Sequence, residues 1–329
     1  MSELSRMVSI SRSPFSLGKA HQRYLFKQYY HMDIYRAKKT FFLKQNTSYL
    51  LGVSNLVMLA LTVDVEEGFH GLWPSAHGRV EHCPPQGNFI KPLQAILKLY
   101  ERHHVNSTFF VLGEIAQVFP EVVEEIYDLG HEVASHGYFH LDLTKISLST
   151  LEETERKSRN ILAKIMGEAP IGFRAPFSRI NPAIISLLSQ MGYVYDSSVV
   201  PSLGIPGWWG NHGASLCPHC VSVEGREFFE VPIAVFPYLR LPVVGGWFLR
   251  NFGLTYVKTA IKCLLRRGMP VILYVHPFDV DPDVPRFGGV AFHVSRHCGE
   301  YTLRAMEHIL KTFDCKKLPV RDVLREFVV

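Results

Sequence analysis

The sequence predicts an α/β fold, and within that class a (β/α) barrel rather than an open doubly wound sheet. From residue 56 onward, short apolar runs alternate with longer amphipathic stretches, which indicates βαβ units and a parallel sheet. Seven or eight such units can be counted, and that number favours a barrel. A chain of 329 residues, 47% of them apolar, is long enough for one large domain with a substantial core.

Strands are predicted where a short apolar run is bounded by turn residues, over residues 56–65, 106–112, 131–136, 170–176, 193–198, 228–233 and 270–277. Helices are predicted where apolar residues recur at helical spacing, over residues 89–104, 120–130, 149–167, 181–192, 253–268 and 299–313. Pro120 and Gly130 bound the second helix, and Ser149 or Thr150, followed by acidic residues, opens the third. Residues 199–228 are predicted to be an irregular insertion.

The basic character of the chain is concentrated at its N-terminus. Residues 1–57 hold nine basic and two acidic side chains, a charge of +7, whereas the whole chain carries +5. We expect residues 1–57 to be an extension that is disordered, is upstream sequence foreign to the natural product, or contacts a membrane surface or nucleic acid, and residues 58–329 to be the main domain. Because the basicity belongs to the extension, the charge of the whole chain says nothing about the partners of the main domain, and no nucleic-acid partner is expected.

The sequence favours a cytoplasmic location. It has no run of about 18 apolar residues that could span a bilayer, and its start lacks the apolar segment of a secretory signal. The six cysteines are mostly scattered, which is typical of a reducing compartment. Cys217 and Cys220 form a CxxC pair, but without a second such pair a structural metal is the weaker interpretation.

Polar side chains close five of the predicted strands. In a (β/α) barrel the chemistry lies on the loops that follow the carboxyl ends of the strands. The residues found there, or just beyond, are Asp64, Glu66, His136, His140, Arg174, Asp196 and His276. Each would be costly to bury without a partner. Their occurrence together therefore indicates a common site.

The residue types at these strand ends are those of a hydrolytic metal site. Two neutral imidazoles, His136 and His140, together with a carboxylate make a set of three ligands that leaves positions open for water and substrate. A second carboxylate, which does not bind the metal, can then take the proton from that water. Gly137 breaks the strand, so the chain can turn and bring His140 back toward the ion. His131 is interpreted as structural.

Six motifs resemble those of one enzyme family. LTVDVEEGF, STFFVLG, EVASHGYFH, FRAPF, YDSS and LYVHP occur in the order found in polysaccharide deacetylases, the NodB homology domain of carbohydrate esterase family 4. The resemblance covers about residues 58–325. It is greatest to the exosortase-associated members, which share the DVE and SHGY forms of two motifs. The resemblance implies a distorted (β/α) barrel of about seven parallel strands.

The resemblance also implies roles for the residues of the metal site. Asp64 resembles the catalytic base of the family, and His136 and His140 resemble its two metal-binding histidines. Many members have adjacent aspartates in the first motif, whereas this chain has Asp64-Val-Glu66. Glu66 is the expected third ligand, since glutamate reaches one methylene further. Glu67 is its rival, although it should point to the opposite face of the strand.

Four further residues take roles from the same resemblance. Arg174 resembles the arginine that holds the base carboxylate. The backbone N–H near Phe177, which stands where tyrosine is usual, would face the oxyanion. His276 resembles the catalytic histidine that acts as general acid, and Asp196 resembles the acid that tunes it.

The implied activity is the metal-dependent removal of N-acetyl groups from an amino sugar in a polysaccharide, an oligosaccharide or a lipid- or nucleotide-linked precursor. Zinc is the expected metal, with cobalt, nickel or manganese as alternatives. Tryptophans on predicted loops could stack on sugar faces or serve only as packing anchors; they are Trp73, Trp208, Trp209 and Trp247. The competing hypotheses are an allantoinase-like amidohydrolase of the same fold, which acts on small cyclic amides, and a non-catalytic carbohydrate-binding relative.

Overall fold

The computed structural model describes residues 57–72, 84–204, 210–243, 245–284 and 292–328. They belong to one compact unit that comprises residues 54–328. The predictions for the basic extension and for Trp73, Trp208 and Trp209 lie outside the described residues. Within the described part, no helix combines the length and the apolarity that crossing a membrane requires.

One sheet contains the strands of the described residues. They are β1 Met58–Val65, β2 Thr108–Val111, β3 Glu132–Ser135, β4 Gly172–Phe173, β5 Tyr195–Asp196, β6 His219–Val223, β7 Arg226–Glu230, β8 Val271–Val275 and β9 Lys316–Lys317. Their order is β6-β7-β5-β4-β3-β2-β1-β8, and β9 also pairs with β1. The β6–β7 pair is antiparallel and the other pairs are parallel.

The predicted fold class, a distorted barrel of about seven parallel strands, is confirmed. Seven parallel strands follow one another in the order β7-β5-β4-β3-β2-β1-β8. Between the two ends of this row, the N–H of Ala234 donates to the carbonyl of Ile272 at 3.0 Å, so the chain after β7 approaches β8. β1 is buried along its whole length, which explains its nearly continuous apolar sequence.

The helices of the described residues mostly alternate with the strands. They are α1 Gly68–Leu72, α2 Ile90–Arg102, α3 Gly113–Val118, α4 Pro120–Asp128, α5 Leu148–Met166, α6 Pro182–Gln190, α7 Gly246–Phe252, α8 Leu254–Leu265, α9 Phe292–Ser295, α10 Glu300–Thr312 and α11 Val320–Val328. Short 3₁₀ turns follow three strands, at Leu143–Lys145, Pro176–Ser178 and Pro277–Val280. The larger apolar core contains residues from both the strands and these helices.

The interior of the barrel changes from apolar to polar along β1. Alternate residues of a strand share a face, and Met58 and Ala60 belong to a core cluster that includes Val320, Val323 and Leu324 of α11. Two and four residues beyond Ala60 on the same face, Thr62 and Asp64 are buried polar side chains. α11 thus packs at one end of the barrel interior, while the polar groups collect toward the carboxyl ends of the strands.

Two local predictions differ from the structure. Residues 199–228, predicted to be irregular, contain β6, which forms a hairpin with β7 through Glu224 and Gly225. Both turn residues have positive φ, as a two-residue hairpin turn requires, so the Glu-Gly pair after the alternating valines Val221 and Val223 was the missed signal. The N-cap of α5 is Ser147, two to three residues before the predicted cap, and its side chain accepts the N–H of Thr150.

Candidate metal centre and active site

Strand register aligns the ends of neighbouring strands. One row across the sheet contains Val65, Val111, Ser135, Phe173 and Asp196. The residues that follow three of these are Glu66, His136 and Arg174. On the other side of β1, Val275 pairs with Val63, so His276 comes level with Asp64. The fold therefore brings together side chains that are up to 212 positions apart in the sequence.

Glu66, His136 and His140 form the candidate metal centre. One ligand atom from each lies within 4.8 Å of the other two. Glu66 Oε2 is 2.7 Å from Nε2 of His140 and 4.0 Å from Nε2 of His136. All three side chains are at most 5% exposed, so solvent provides little compensation for their polar atoms. The pair of histidines predicted from HEVASHGYFH does converge on one carboxylate.

The backbone around His136 prepares both imidazoles for coordination. Nδ1 of His136 lies 2.7 Å from the carbonyl oxygen of Arg174, so it carries the proton and leaves the Nε2 lone pair facing Glu66. Burial lowers the pKa of His136 to about 4, which keeps the ring neutral at neutral pH. Gly137 has a φ of 84°, a conformation that favours glycine, and it turns the chain so that His140 reaches the same point.

These residues fit a divalent cation of the zinc type. Two neutral imidazoles and a carboxylate are the protein ligands of many catalytic zinc sites. Glu66 Oε2 and His140 Nδ1 are buried and accept or donate no hydrogen bond of acceptable geometry within the described residues. Burial by itself would raise the pKa of Glu66, but the neighbouring His140 and His276 hold that pKa well below its usual range. Glu66 is therefore anionic, as a carboxylate ligand of the candidate centre would have to be.

Glu67 points away from this centre and has a different function. Its Oε1 accepts the backbone N–H groups of Gln86 and Gly87, which lie in the segment before α2. Its own N–H donates to Nδ1 of His70 at 3.0 Å. The alternation along the chain therefore separates the two glutamates, and Glu66 is the one beside the histidines.

Asp64 and Arg174 form a buried ion pair next to the metal centre. Nη1 of Arg174 donates to Oδ1 of Asp64 at 2.7 Å and to the hydroxyl of Thr62 at 2.7 Å. Nε and Nη2 of the same guanidinium bind the carbonyl and the hydroxyl of Ser197. The guanidinium also lies 4.0 Å over the ring of Phe110, so its position is fixed from several directions.

His276 is paired with Asp279, not with Asp196. Nδ1 of His276 lies 3.0 Å from Oδ2 of Asp279, and the backbone N–H of His276 donates to the same oxygen at 2.8 Å. Nε2 of His276 is 3.5 Å from Oε1 of Glu66, so it faces the metal centre. Burial alone would lower the pKa of His276, but the charge of Glu66 and the bond to Asp279 raise it to about 9.

Asp196 accepts hydrogen bonds from Ser198 and not from His276, which corrects the expected pairing of Asp196 with His276. Its two oxygens accept the hydroxyl and the backbone N–H of Ser198, at 2.6 and 3.0 Å. The Ser198 hydroxyl in turn accepts the N–H of Ala175, in the loop that carries Phe177. Burial and the neighbouring carboxylate of Asp196 raise the pKa of Glu230 well above its usual range. Asp196 thus belongs to a network that supports the loops after β4 and β5.

Phe177 lies in the left-handed region of backbone space, with a φ of 57° and a ψ of 12°, and Ser178 also has a positive φ. Two consecutive residues of this kind cost on the order of 1–3 kcal/mol each, and such strain collects at functional sites. The Phe177 ring packs edge-on against His140, with centroids 4.3 Å apart. The strained loop therefore adjoins a candidate ligand.

The remaining predicted residues have structural surroundings. The half-buried indole of Trp247 packs against the rings of Phe252 and His293, so packing accounts for its position. Cys217 and Cys220 are free cysteines. Within the described residues, the Glu66 cluster is the group with the spacing of a metal site.

Sequence reasoning missed Asp279, the partner of His276. Its signal is local: Asp279 lies three residues after His276 in HPFD, at the spacing that lets a side chain cap the turn that begins there. Glu67 stayed a rival of Glu66 for the third ligand, although the alternation of side chains along a strand placed the two on opposite faces. Both belong to the VEEGFH segment, where only the direction of each side chain distinguishes a ligand from a neighbour.

Two family descriptions match consecutive parts of the chain. The polysaccharide deacetylase family matches residues 91–195, and a domain of unknown function, DUF3473, matches residues 197–317. The chain therefore contains a polysaccharide deacetylase domain followed by a DUF3473 segment, the combination of the exosortase-associated type. This confirms the resemblance drawn from the six motifs.

Curated relatives have related names. A peptidoglycan deacetylase of Helicobacter pylori is 27% identical over 154 residues, which are 47% of this chain and 52% of the relative. A peptidoglycan-N-acetylglucosamine deacetylase of Bacillus cereus is 36% identical over 85 residues, or 26% of this chain and 31% of the relative. The chain therefore spans about half the length, or less, of these relatives.

Solved structures share the fold. A Mycobacterium smegmatis protein assigned as a polysaccharide deacetylase superposes with a TM-score of 0.60 at 19% identity, covering 84% of this chain and 91% of the other. An allantoinase superposes with a TM-score of 0.57 at 18% identity, covering 84% and 92%. At such identities the likeness establishes the fold alone, and the choice between the two activities depends on the site and the family.

Proposed function

We propose that this protein is a metal-dependent hydrolase that removes the N-acetyl group from an amino sugar of a glycan. The observation that carries the proposal is one cluster in which the Glu66–His136–His140 centre adjoins both the Asp64–Arg174 pair and the Nε2 of His276. The names of the H. pylori and B. cereus relatives support the substrate class, since both are peptidoglycan deacetylases.

Glu66, His136 and His140 would hold the metal, and zinc suits a set of two imidazoles and one carboxylate. When bound, such an ion supplies a Lewis acid that polarises the acyl oxygen and makes water acidic. The residues around it supply the proton transfers and the positioning. The expectation of zinc over cobalt, nickel or manganese rests on this donor set.

Asp64 acts as the general base. Its Oδ1 is held by Arg174, which leaves Oδ2 as the oxygen that receives the proton of the attacking water. The surrounding bonds to Thr62 and Ser197 fix the guanidinium, so the carboxylate keeps one orientation through the reaction. A base held at a fixed position close to the ligand cluster can take the proton from a water bound there without first having to reorient.

His276 acts as the general acid. An amine is a poor leaving group unless its nitrogen is protonated as the carbon–nitrogen bond breaks. With Nδ1 bound to Asp279, Nε2 carries the proton on the side that faces Glu66. The backbone N–H of Phe177, in the strained loop beside His140, is our candidate for a hydrogen bond to the oxyanion, a contact whose removal costs roughly 3–4 kcal/mol in other hydrolases.

The decisive experiment compares two substrate classes on the full chain. Purified protein is stripped with a chelator, reloaded with zinc, and incubated with N-acetylglucosamine oligomers or with allantoin, and acetate and free amine are measured. We expect acetate release from the oligomers in the reloaded protein and loss of release after chelation. The Asp64→Asn variant serves as the inactive control. Ring opening of allantoin without acetate release would overturn the proposal in favour of the amidohydrolase.

A further inference from the structure

A chain of hydrogen bonds continues behind Asp279 to a buried arginine. Nε of Arg250 donates to Oδ1 of Asp279 at 2.8 Å, while Oδ2 of the same carboxylate accepts from His276. The side chains of Arg250 and Asp279 are 1% and 0% exposed. Burial alone would raise the pKa of Asp279, but Arg250 and His276 hold it below its usual range, so the carboxylate is charged.

Arg250 is itself fixed by the surrounding backbone. Its Nη1 donates to the carbonyl of Arg296 at 2.9 Å, and its own carbonyl lies 2.9 Å from Nδ1 of His297. The guanidinium therefore has little freedom, and the carboxylate between it and His276 is held on both oxygens. A carboxylate held in this way determines which nitrogen of the imidazole carries the proton and how the ring is turned.

The helix that carries Arg250 is adapted to this contact. α7 begins at Gly246, and a Cβ built there would overlap the carboxylate of Asp279. Arg250 follows four residues later and so lies on the same face of the helix. Glycine lets the helix approach the carboxylate closely, and the arginine then reaches the other oxygen. Two positions one turn apart on α7 thus serve the same group.

We propose that Arg250 is a positioning residue that acts through Asp279 to orient His276, and that Gly246 permits its approach. Arg250, Asp279 and His276 all lie within residues 197–317, the segment that matches the domain of unknown function. That segment then contributes the general acid and the two residues that position it. The ligands Glu66 and His136 and the base Asp64 come from the preceding part of the chain. This inference rests on the proposed deacetylase function.

A second contact of His276, on one face of its ring, supports the same interpretation. The ring of Phe278 stacks on it, with centroids 4.5 Å apart and planes 8° from parallel. Stacking fixes the plane of the imidazole but leaves its rotation within that plane free. The bond from Nδ1 to Asp279 sets this rotation, and Arg250 keeps Asp279 in place. Loss of Arg250 would therefore impair proton delivery more than substrate binding.

The test compares two leaving groups in the zinc-loaded full chain. N-acetylglucosamine oligomers release an amine that needs a proton, whereas an aryl acetate releases a phenolate that departs without one. We expect Arg250→Met to lower kcat on the oligomers by roughly 10–100-fold, with KM and zinc content nearly unchanged. Activity on the aryl acetate should fall much less. Arg250→Lys, which keeps one donor and the charge, should recover part of kcat.

The controls separate the inference from the function on which it rests. Arg304→Met removes an exposed arginine that pairs with Glu300 and should leave both activities unchanged. If Arg250→Met lowers both activities equally, or lowers neither, the positioning role is wrong. If Arg250→Met does not fold, the ratio of the activity on the oligomers to that on the aryl acetate is measured in Arg250→Lys, and an unchanged ratio contradicts the positioning role. Failure of the wild-type protein to release acetate from the oligomers would instead contradict the proposed function.

Discussion

Arg174 Nη1 donates to Asp64 Oδ1 across 2.7 Å, and the two side chains are 1% and 6% exposed. The pair joins β1 to the loop after β4, over 110 positions of sequence. The attraction between two paired buried charges offsets much of the free energy that their desolvation costs, whereas one such charge left without its partner is strongly destabilising. The pair therefore has consequences for stability as well as for the base.

Arg174→Met should destabilise the protein by roughly 3–5 kcal/mol, because Asp64 is left buried without its counter-charge. The double variant Arg174→Met/Asp64→Asn should recover part of this loss, since it removes the uncompensated charge. Urea unfolding of the wild type and the variants measures both effects. Equal losses in the single and the double variant would contradict the ion-pair explanation.

Asp64→Asn should retain the metal and lose activity. The amide keeps an oxygen that accepts from Arg174, so the geometry of the three-ligand centre should be kept although the unpaired charge of Arg174 lowers the stability, and the amide takes up no proton. We expect kcat for acetate release to fall by roughly 10²–10⁴-fold, the usual contribution of a general base. Steady-state kinetics with parallel metal analysis tests this. Activity within tenfold of the wild type would mean that another group is the base.

Glu155 should make the stability depend on pH. It lies on α5 and accepts the hydroxyls of Ser135 and Tyr193, beneath the turn that carries His136. Burial raises its pKa from 4.5 to about 7, despite these hydrogen bonds. Because the folded pKa is raised, its stabilising contribution is present below about pH 4.5 and is lost as the pH rises through about 7.

Glu155→Gln, which stays neutral, should therefore gain stability relative to the wild type between pH 5 and pH 8, by roughly 2–3 kcal/mol. Urea unfolding at the two pH values measures the difference. Glu153→Gln makes the same change at an exposed position of α5 and is the control. If the free energies of unfolding of Glu155→Gln and the wild type differ by the same amount at both pH values, the pKa of Glu155 is not raised as described.

The strand-end pattern predicted most of the site because it depends on strand register alone. Glu66, His136 and Arg174 each follow a strand residue of one aligned row, so alternating apolar sequence was enough to bring them together. Which carboxylate pairs with His276 depends on side-chain direction and loop shape. Asp196 is the last residue of β5 and Asp279 follows β8, and only the turn after β8 brings a carboxylate onto the imidazole.

The contact between Arg250 and Asp279 could not be predicted from the sequence for a similar reason. Arg250 lies 29 residues from Asp279, on a helix whose approach depends on a glycine, and no periodic pattern marks that contact. The hairpin of β6 and β7 was missed although its turn residues were visible, because the surrounding glycines and histidines indicated an irregular segment. Compositional bias outweighed a local turn signal there.

The most direct test of the three-ligand centre is the zinc content of matched glutamate variants. Full-length wild type, Glu66→Gln, Glu67→Gln and His136→Ala are chelated, dialysed against zinc and analysed by mass spectrometry. We expect about one zinc per chain in the wild type and in Glu67→Gln, whose amide oxygen still accepts from Gln86 and Gly87. Glu66→Gln and His136→Ala should lose most of it. Unchanged zinc in these two variants would contradict the assignment of the ligands.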